Sequence, residues 1–418
     1  MKIKYLYLRF TLTAGLCLAN LASAQGISNL YVLGDSLSDQ GNLYMASLAD
    51  TGQGIPADDH YYMGRFADGE NYAGILAHKL DLVLAPSYLG GNNYAYGGTR
   101  TDYNRVELDE TKPPPVNLLG HGGIFPEDAH PWSLDGQRQA FAGRGVVDAQ
   151  GLYIVFSGSN DMADLVTMLA LSINNPAFNI DPASVIAKTV IGINDAIAAA
   201  VAAGAQDVIV PNVPNLGVVP SIARFGPNFS ALATAVSVQY NQALGAMLAQ
   251  WDGAVNIIPV DTFALLTDVV QNPAAYGFSN VSEPCYTGFV GPAGPNDTVC
   301  TDPDSYAFWD IEHPTTALHA VVADRILAVS TLDILDQLSE QLAASDIDPH
   351  LQASLARRLQ GAIGRLSDDG WRNDGAARGK LRAFVHVLQV QSGTSIAADD
   401  AAYLVQRAQR VLSLLQAD

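Results

Sequence analysis

His313 is the histidine whose neighbours suggest chemistry. It follows Asp310 in the run Phe308-Trp309-Asp310-Ile311-Glu312-His313-Pro314. Three residues of spacing let the carboxylate reach Nδ1 of the same imidazole and leave Nε2 free to take a proton from another group. A serine hydroxyl is a useful nucleophile only when such a base removes its proton and a third group orients the base. Ser36, in Gly34-Asp35-Ser36-Leu37-Ser38, directly follows the apolar run Leu30 to Leu33, which places its hydroxyl at the rim of any sheet that the run joins. The remaining histidines invite plainer readings. His60, His121 and His130 fall in loops, His319 opens a helix, and His78, His350 and His386 lie in helical stretches, so solvated or structural roles are expected for them.

Acyl transfer at a serine also needs preorganised donors for the oxyanion. Gly158-Ser159-Asn160-Asp161 follows a second apolar run, Leu152 to Phe156, and offers a side-chain amide there. Asn93-Tyr94-Ala95-Tyr96-Gly97-Gly98-Thr99 offers backbone N–H groups where no Cβ blocks close approach. Singly, each stretch is also a good turn. In this order, beside Ser36 and the Asp310/His313 pair, they are specific.

Taken together these blocks resemble those of the SGNH, or GDSL-type, hydrolase superfamily. Ser36 stands in the GDSL context, Asn160 in a GxND context and His313 in a DxxH context, and the resemblance spans roughly residues 28–330. It implies an α/β chain with a three-layer α/β/α fold around a flavodoxin-like parallel sheet. It also implies hydrolysis of a carboxylic ester through an acyl-enzyme, with Ser36 as nucleophile, His313 as base, Asp310 as its orienter, and no metal or organic cofactor. The oxyanion donors carried over are the Ser36 N–H, a glycine N–H and the Asn160 amide. Of the two adjacent glycines, spacing from Asn93 favours Gly98, with Gly97 open. Two departures narrow the reading. Ser38 occupies the place of the second glycine of a GxSxG elbow, which argues against the α/β-hydrolase fold. About 80 residues follow the catalytic region with helical rather than alternating patterns, so the C-terminal barrel of the family's autotransporter lipases is not expected.

The elements that must hold these residues read as alternating strands and helices. Leu30 to Leu33, Leu152 to Phe156, Asp207 to Val210 and Val255 to Val260 are buried-strand patterns, with helical patterns at Tyr72 to Leu80, Ser184 to Ala203 and Ser230 to Trp251. Such alternation builds a parallel sheet whose sites collect at the strands' carboxyl ends. Residues 103–136 and 271–309 break the pattern as long excursions. Their Phe125, Trp132, Tyr276, Phe278 and Phe289 either line an acyl pocket or cover core. From about Ser339, the runs Leu351 to Leu366, Ala376 to Leu388 and Asp399 to Leu415 suggest a small C-terminal helical appendage. The division expected is a leader at 1–24, a hydrolase domain at 25–338, and a separately packed module at 339–418.

The chain ends and the charge bound the setting. Lys2, Lys4 and Arg9, an apolar run from Phe10 to Leu21, and Ala22-Ser23-Ala24 form an export signal, so a secreted or periplasmic location without a stable membrane anchor is expected. Cys17 leaves with the leader, and Cys285 and Cys300 remain as a pair suited to one disulfide. Residues 25–339 carry ten basic and 33 acidic side chains, whereas residues 340–418 carry nine of each. That acidic balance argues against nucleic acid or an anionic bilayer as a partner. The substrate expected is a lipid-like or short acyl ester, with an acetylated polysaccharide as the alternative and a non-catalytic binding protein as the reading from another class.

Overall fold

The computed structural model describes residues 26–101, 130–173, 175, 180–368 and 374–415. The leader at 1–24 and most of the first excursion, with Phe125 and His121, lie outside them. In chain order, β1 (Leu30–Gly34) is followed by α1 (Asn42–Thr51), α2 (Tyr72–Lys79) and α3 (Leu134–Gly143). Then come β2 (Leu152–Phe156), α4 (Ser159–Ser172), α5 (Pro182–Ala202) and β3 (Asp207–Pro211), with the short α6 (Pro220–Ala223) and α7 (Pro227–Leu248) after it. The rest comprises β4 (Asn256–Val260), α8 (Thr262–Gln271), β5 (Asn280–Pro284), β6 (Tyr306–Phe308), α9 (Thr316–Ala344), α10 (Pro349–Asp368), α11 (Asp374–Gln391) and α12 (Ala398–Leu414).

Four strands pair in parallel in the order β1-β2-β3-β4, with Leu30 opposite Leu152 and Asp207 opposite Asn256. A fifth, irregular segment borders the other side of β1. There Val32 bridges to Asn93 in parallel, and Tyr94 N–H donates to the Val32 carbonyl at 2.7 Å. The chain therefore leaves β1 toward one edge and later returns on the other side, which creates a switch point at β1 of the flavodoxin-like kind. Strands β1, β2 and β3, buried on both faces, read as continuous apolar runs, and β4 at the edge, with Pro259 exposed, is read from its apolar Ile257, Ile258 and Val260.

Period-two alternation sends the two sets of side chains into separate cores. Leu30, Val32, Ile154 and Ile209 face one layer, built from α2, α9 and the helices after it. Tyr31, Leu33, Tyr153 and Val208 face the other, built from α3, α4, α5 and α7. This is the three-layer α/β/α arrangement that the resemblance implies. Helix α5 is long and apolar enough to cross a membrane, but its Ile186, Ile193 and Ile197 are buried in the second core.

The boundary expected at 338/339 falls within α9, a continuous 29-residue helix. Leu355, Leu359, Leu381, Phe384, Leu404 and Val411 of the last three helices belong to the same core as Leu30, Val32 and Ile209 of the sheet. Asp207, the first residue of β3, is fully buried and takes a bidentate ion pair from Arg407 of α12 at 2.7 and 2.9 Å. Arg410 pairs with the same carboxylate and donates to the carbonyls of Gln150 and Gly151. The helices thus close the lower end of the sheet, opposite the strands' carboxyl ends.

Candidate active site

Gly34 ends β1 so close to β2 that a Cβ on it would lie 2.5 Å from the Phe156 carbonyl oxygen. The chain then turns sharply, with Ser38 and Asp39 N–H donating to the Asp35 carbonyl, and the turn lifts Ser36 above the sheet. Gln137 of α3 holds the strand end from below. Its amide spans Gly34 N–H and carbonyl at 2.9 Å each and reaches Thr99 Oγ1 at 2.8 Å. Asp39, buried, accepts N–H groups of Gly41, Asn42 and Leu43 at the start of α1 and that of Gly97 at 2.8 Å. One carboxylate therefore ties the glycine block to the Ser36 turn.

His313 approaches from the segment between β6 and α9. Its Nε2 lies 3.0 Å from Ser36 Oγ, and its Nδ1 lies 2.8 Å from Asp310 Oδ2. Asp310 Oδ1 accepts the N–H groups of Glu312 and His313 at 2.7 Å each, so the short DxxH turn itself fixes the carboxylate. Burial works against charge on Asp310, but the His313 charge and the hydrogen bonds outweigh it and hold the carboxyl below its ordinary value. For His313 burial works downward, and the Asp310 charge and hydrogen bond win and raise the imidazole above the ordinary 6.5.

Asn160 sits in the first turn of α4, and its amide donates to the Thr99 carbonyl at 3.0 Å, leaving a second amide hydrogen. Gly98 adopts φ 74°, a left-handed conformation that a Cβ would strain. Gly97 N–H is already taken by Asp39, whereas no acceptor among the described residues takes the N–H of Gly98 or of Ser36. Beyond the glycines, Arg100 forks onto Asp164 at 2.9 Å twice, and Thr101 donates to Asp161, so α4 grips three successive residues of the loop, Thr99 to Thr101. None of these clamps, neither Gln137, Asp39, Arg100 nor Asp164, was singled out from the sequence. Only the Asp161 that follows Asn160 belonged to a recognised motif.

A cavity of about 110 Å³ opens at Ser36 and His313. Its wall follows the strand ends in sheet order, from Leu37 after β1, through Phe156, Ser159 and Asn160, past Pro214 and Leu216 beyond β3, to Thr262, Leu265 and Leu266 of α8. The lining is mainly apolar, with Asp35, Tyr72, Glu312 and His319 as its ionisable members beside His313. Burial pushes Asp35 and Glu312 up to about 7, and burial pushes His319 down to about 3. Of the aromatic residues read as either pocket lining or core cover, the four described ones are absent from its wall. Phe278 is in the core beneath, Trp132 and Phe289 pack in a third cluster with Tyr96 and Trp309, and Tyr276 hydrogen-bonds Asp268 on the surface. From the described excursion 271–309, Phe289 stacks on the His313 ring at 6.0 Å. Cys285 and Cys300 form a disulfide within the same cluster.

Residues 30–326 match the family model described as GDSL-like lipase/acylhydrolase. A GDSL esterase/lipase of Arabidopsis thaliana is 28% identical over 344 residues, covering 75% of this chain and 90% of that protein. A second from the same plant is 25% identical over 352 residues, covering 75% and 87%. Lipase 1 of Photorhabdus luminescens is 25% identical over 386 residues, covering 75% of this chain and 52% of its own length.

Proposed function

Because the chain belongs to the GDSL-like lipase/acylhydrolase family and is by that membership a carboxylic ester hydrolase, we propose that it works through Ser36, His313 and Asp310. The observation that carries this reading is the unbroken chain of hydrogen bonds from Asp310 through His313 to Ser36 Oγ. His313 Nε2 takes the hydroxyl proton as Ser36 Oγ attacks the ester carbonyl, and the imidazolium then returns that proton to the departing alcohol. A water, deprotonated by the same nitrogen, attacks the acyl-enzyme and releases the acid. The N–H groups of Ser36 and Gly98 and the free amide hydrogen of Asn160 receive the oxyanion. In favour of Gly98 over its neighbour is the Asp39 bond that occupies Gly97 N–H. The positive end of α4 adds to the same field.

The apolar wall of the cavity supports a lipid-like or short acyl group over an acetyl group on a polysaccharide. Export through the leader at 1–24 accords with the Cys285–Cys300 disulfide, a bond favoured in oxidising compartments. The test is turnover of a nitrophenyl ester series beside an acetylated xylan. Ser36→Ala is expected to abolish it, and Asn160→Ala to lower it about 100- to 1,000-fold while Tm stays near that of the parent. Full turnover in Ser36→Ala refutes the assignment. Turnover confined to the xylan refutes the acyl preference alone.

A further inference from the structure

Among the described residues, a hydroxyl outside the four motif blocks hydrogen-bonds the triad. Tyr61 lies 249 residues before Asp310, yet its hydroxyl donates to Asp310 Oδ2 at 2.6 Å. That oxygen is the one that also receives His313 Nδ1. The Tyr61 oxygen in turn accepts Val290 N–H at 2.9 Å, and Val290 belongs to the loop closed by Cys285 and Cys300. Tyr61 is 3% exposed, and its ring meets Tyr286 of the loop edge-on at 5.8 Å. From the same loop, Phe289 stacks on the His313 ring at 6.0 Å.

We infer that Tyr61 is a positioning residue of the triad, held in place by the disulfide-closed loop, and that this pair sets how strongly Asp310 acts on His313. The inference rests on the hydrolytic reading of Ser36, His313 and Asp310. Its physical content is the donor count at one carboxylate. Oδ1 accepts two backbone N–H groups, and Oδ2 accepts the imidazole and the phenol. With both oxygens doubly occupied the carboxylate has one orientation, and part of its charge is drawn toward Tyr61. Burial first, then the Asp310 charge, hold the phenol above its ordinary 10, so it remains a donor at every working pH. Without it, more of the charge acts on the imidazolium, and His313 keeps its proton to higher pH. The other ionisable groups facing His313 are Glu312 and Asp35 and His319 of α9. Removal of the phenol oxygen leaves all three in place.

The test is the pH profile of ester turnover in Tyr61→Phe. A lost hydrogen bond of ordinary strength predicts a kcat about 3- to 10-fold lower, a KM close to the parent's, and an acid limb of kcat/KM raised by about half a unit. A residue that only packs would lower Tm and leave the limb where it was. A second variant, Cys285→Ala with Cys300→Ala, loosens the loop without touching Tyr61 and is expected to raise the limb in the same direction. Limbs that coincide with the parent's in both variants overturn the inference, and a shift confined to Tyr61→Phe overturns the role of the loop. Turnover that survives Ser36→Ala would instead overturn the underlying triad, which keeps the two failures apart.

Discussion

Asp35 stands between the end of β1 and the candidate nucleophile, and its environment is costly for a carboxylate. Its Oδ1 accepts Leu37 N–H at 3.1 Å, while its Oδ2 has no partner among the described residues. Burial pushes its pKa from 3.8 up to about 7. Between those values the native state holds a proton that the unfolded chain has lost, so stability falls as pH rises from about 4 through 7. Asp35→Asn keeps the acceptor at Oδ1 and removes the titration. Its Tm is expected to decline less than the parent's between about pH 5 and pH 8, with the residual slope shared by Glu312, Asp39 and Asp161, which burial raises in the same way. Parallel Tm curves would refute this. At this scale much of the site was legible, because the chemistry fixes residue types: a serine at a strand end, a histidine three residues after an aspartate, an amide after the second strand. Tyr61 and Gln137 were not. They act through contacts 249 and 103 residues away in sequence, and no local spacing marks a tyrosine that will meet a carboxylate.

Strands β1 to β4 determine the length of the cavity as well as its position. Neighbouring strands lie about 4.8 Å apart, so the three spacings from β1 to β4 amount to about 14 Å, the length of an extended acyl chain of roughly ten carbons. The element that closes the cavity is α8, whose Leu265 is buried at the far end. Leu265→Trp is expected to reduce turnover of decanoyl and longer nitrophenyl esters by more than tenfold, with butyryl turnover within about twofold of the parent's. An equal loss at all chain lengths would mean that α8 does not limit the acyl chain. Strands β1 to β3 were readable because each is a short, doubly buried apolar run bounded by turn residues. Helix α8 was not, since only Asp261 separates it from β4 and its ten residues are too short a stretch to show a clear helical period. Polar β5, Asn280–Pro284, lacked any alternation to find.

For the molecule as a whole, the amphipathic spacing of the last helices was legible and their partner was not. Apolar faces at helical intervals require burial but do not name the surface that buries them. Here that surface is the layer formed by α2 and α9 over the sheet, and the polar contact that fixes it joins Arg407 to Asp207, 200 residues apart. A chain ending at Leu338 would cut α9 before its end and leave Ile334, Leu335 and Leu338 without the neighbours that bury them. It would also leave Asp207 buried without its two guanidinium partners. We therefore expect that chain to be insoluble or to melt far below the full protein, even though every candidate catalytic residue precedes it. A point substitution isolates the ionic part. In Arg407→Met the fork onto Asp207 is lost while the stem is kept; removal of the sole partner of a buried charge costs about 3–5 kcal/mol, and the loss here is smaller because Arg410 still pairs with Asp207. The pH sign follows from Asp207. Burial opposes its charge, but Arg410 and Arg407 hold its pKa below 3.8, so its stabilisation is present above that value and is lost as pH falls through the lower native one. Arg407→Met should raise the native value and bring acid unfolding to higher pH. A soluble, fully active chain ending at Leu338, with the acid-unfolding midpoint of Arg407→Met unchanged, would show that the last helices are an independent module after all.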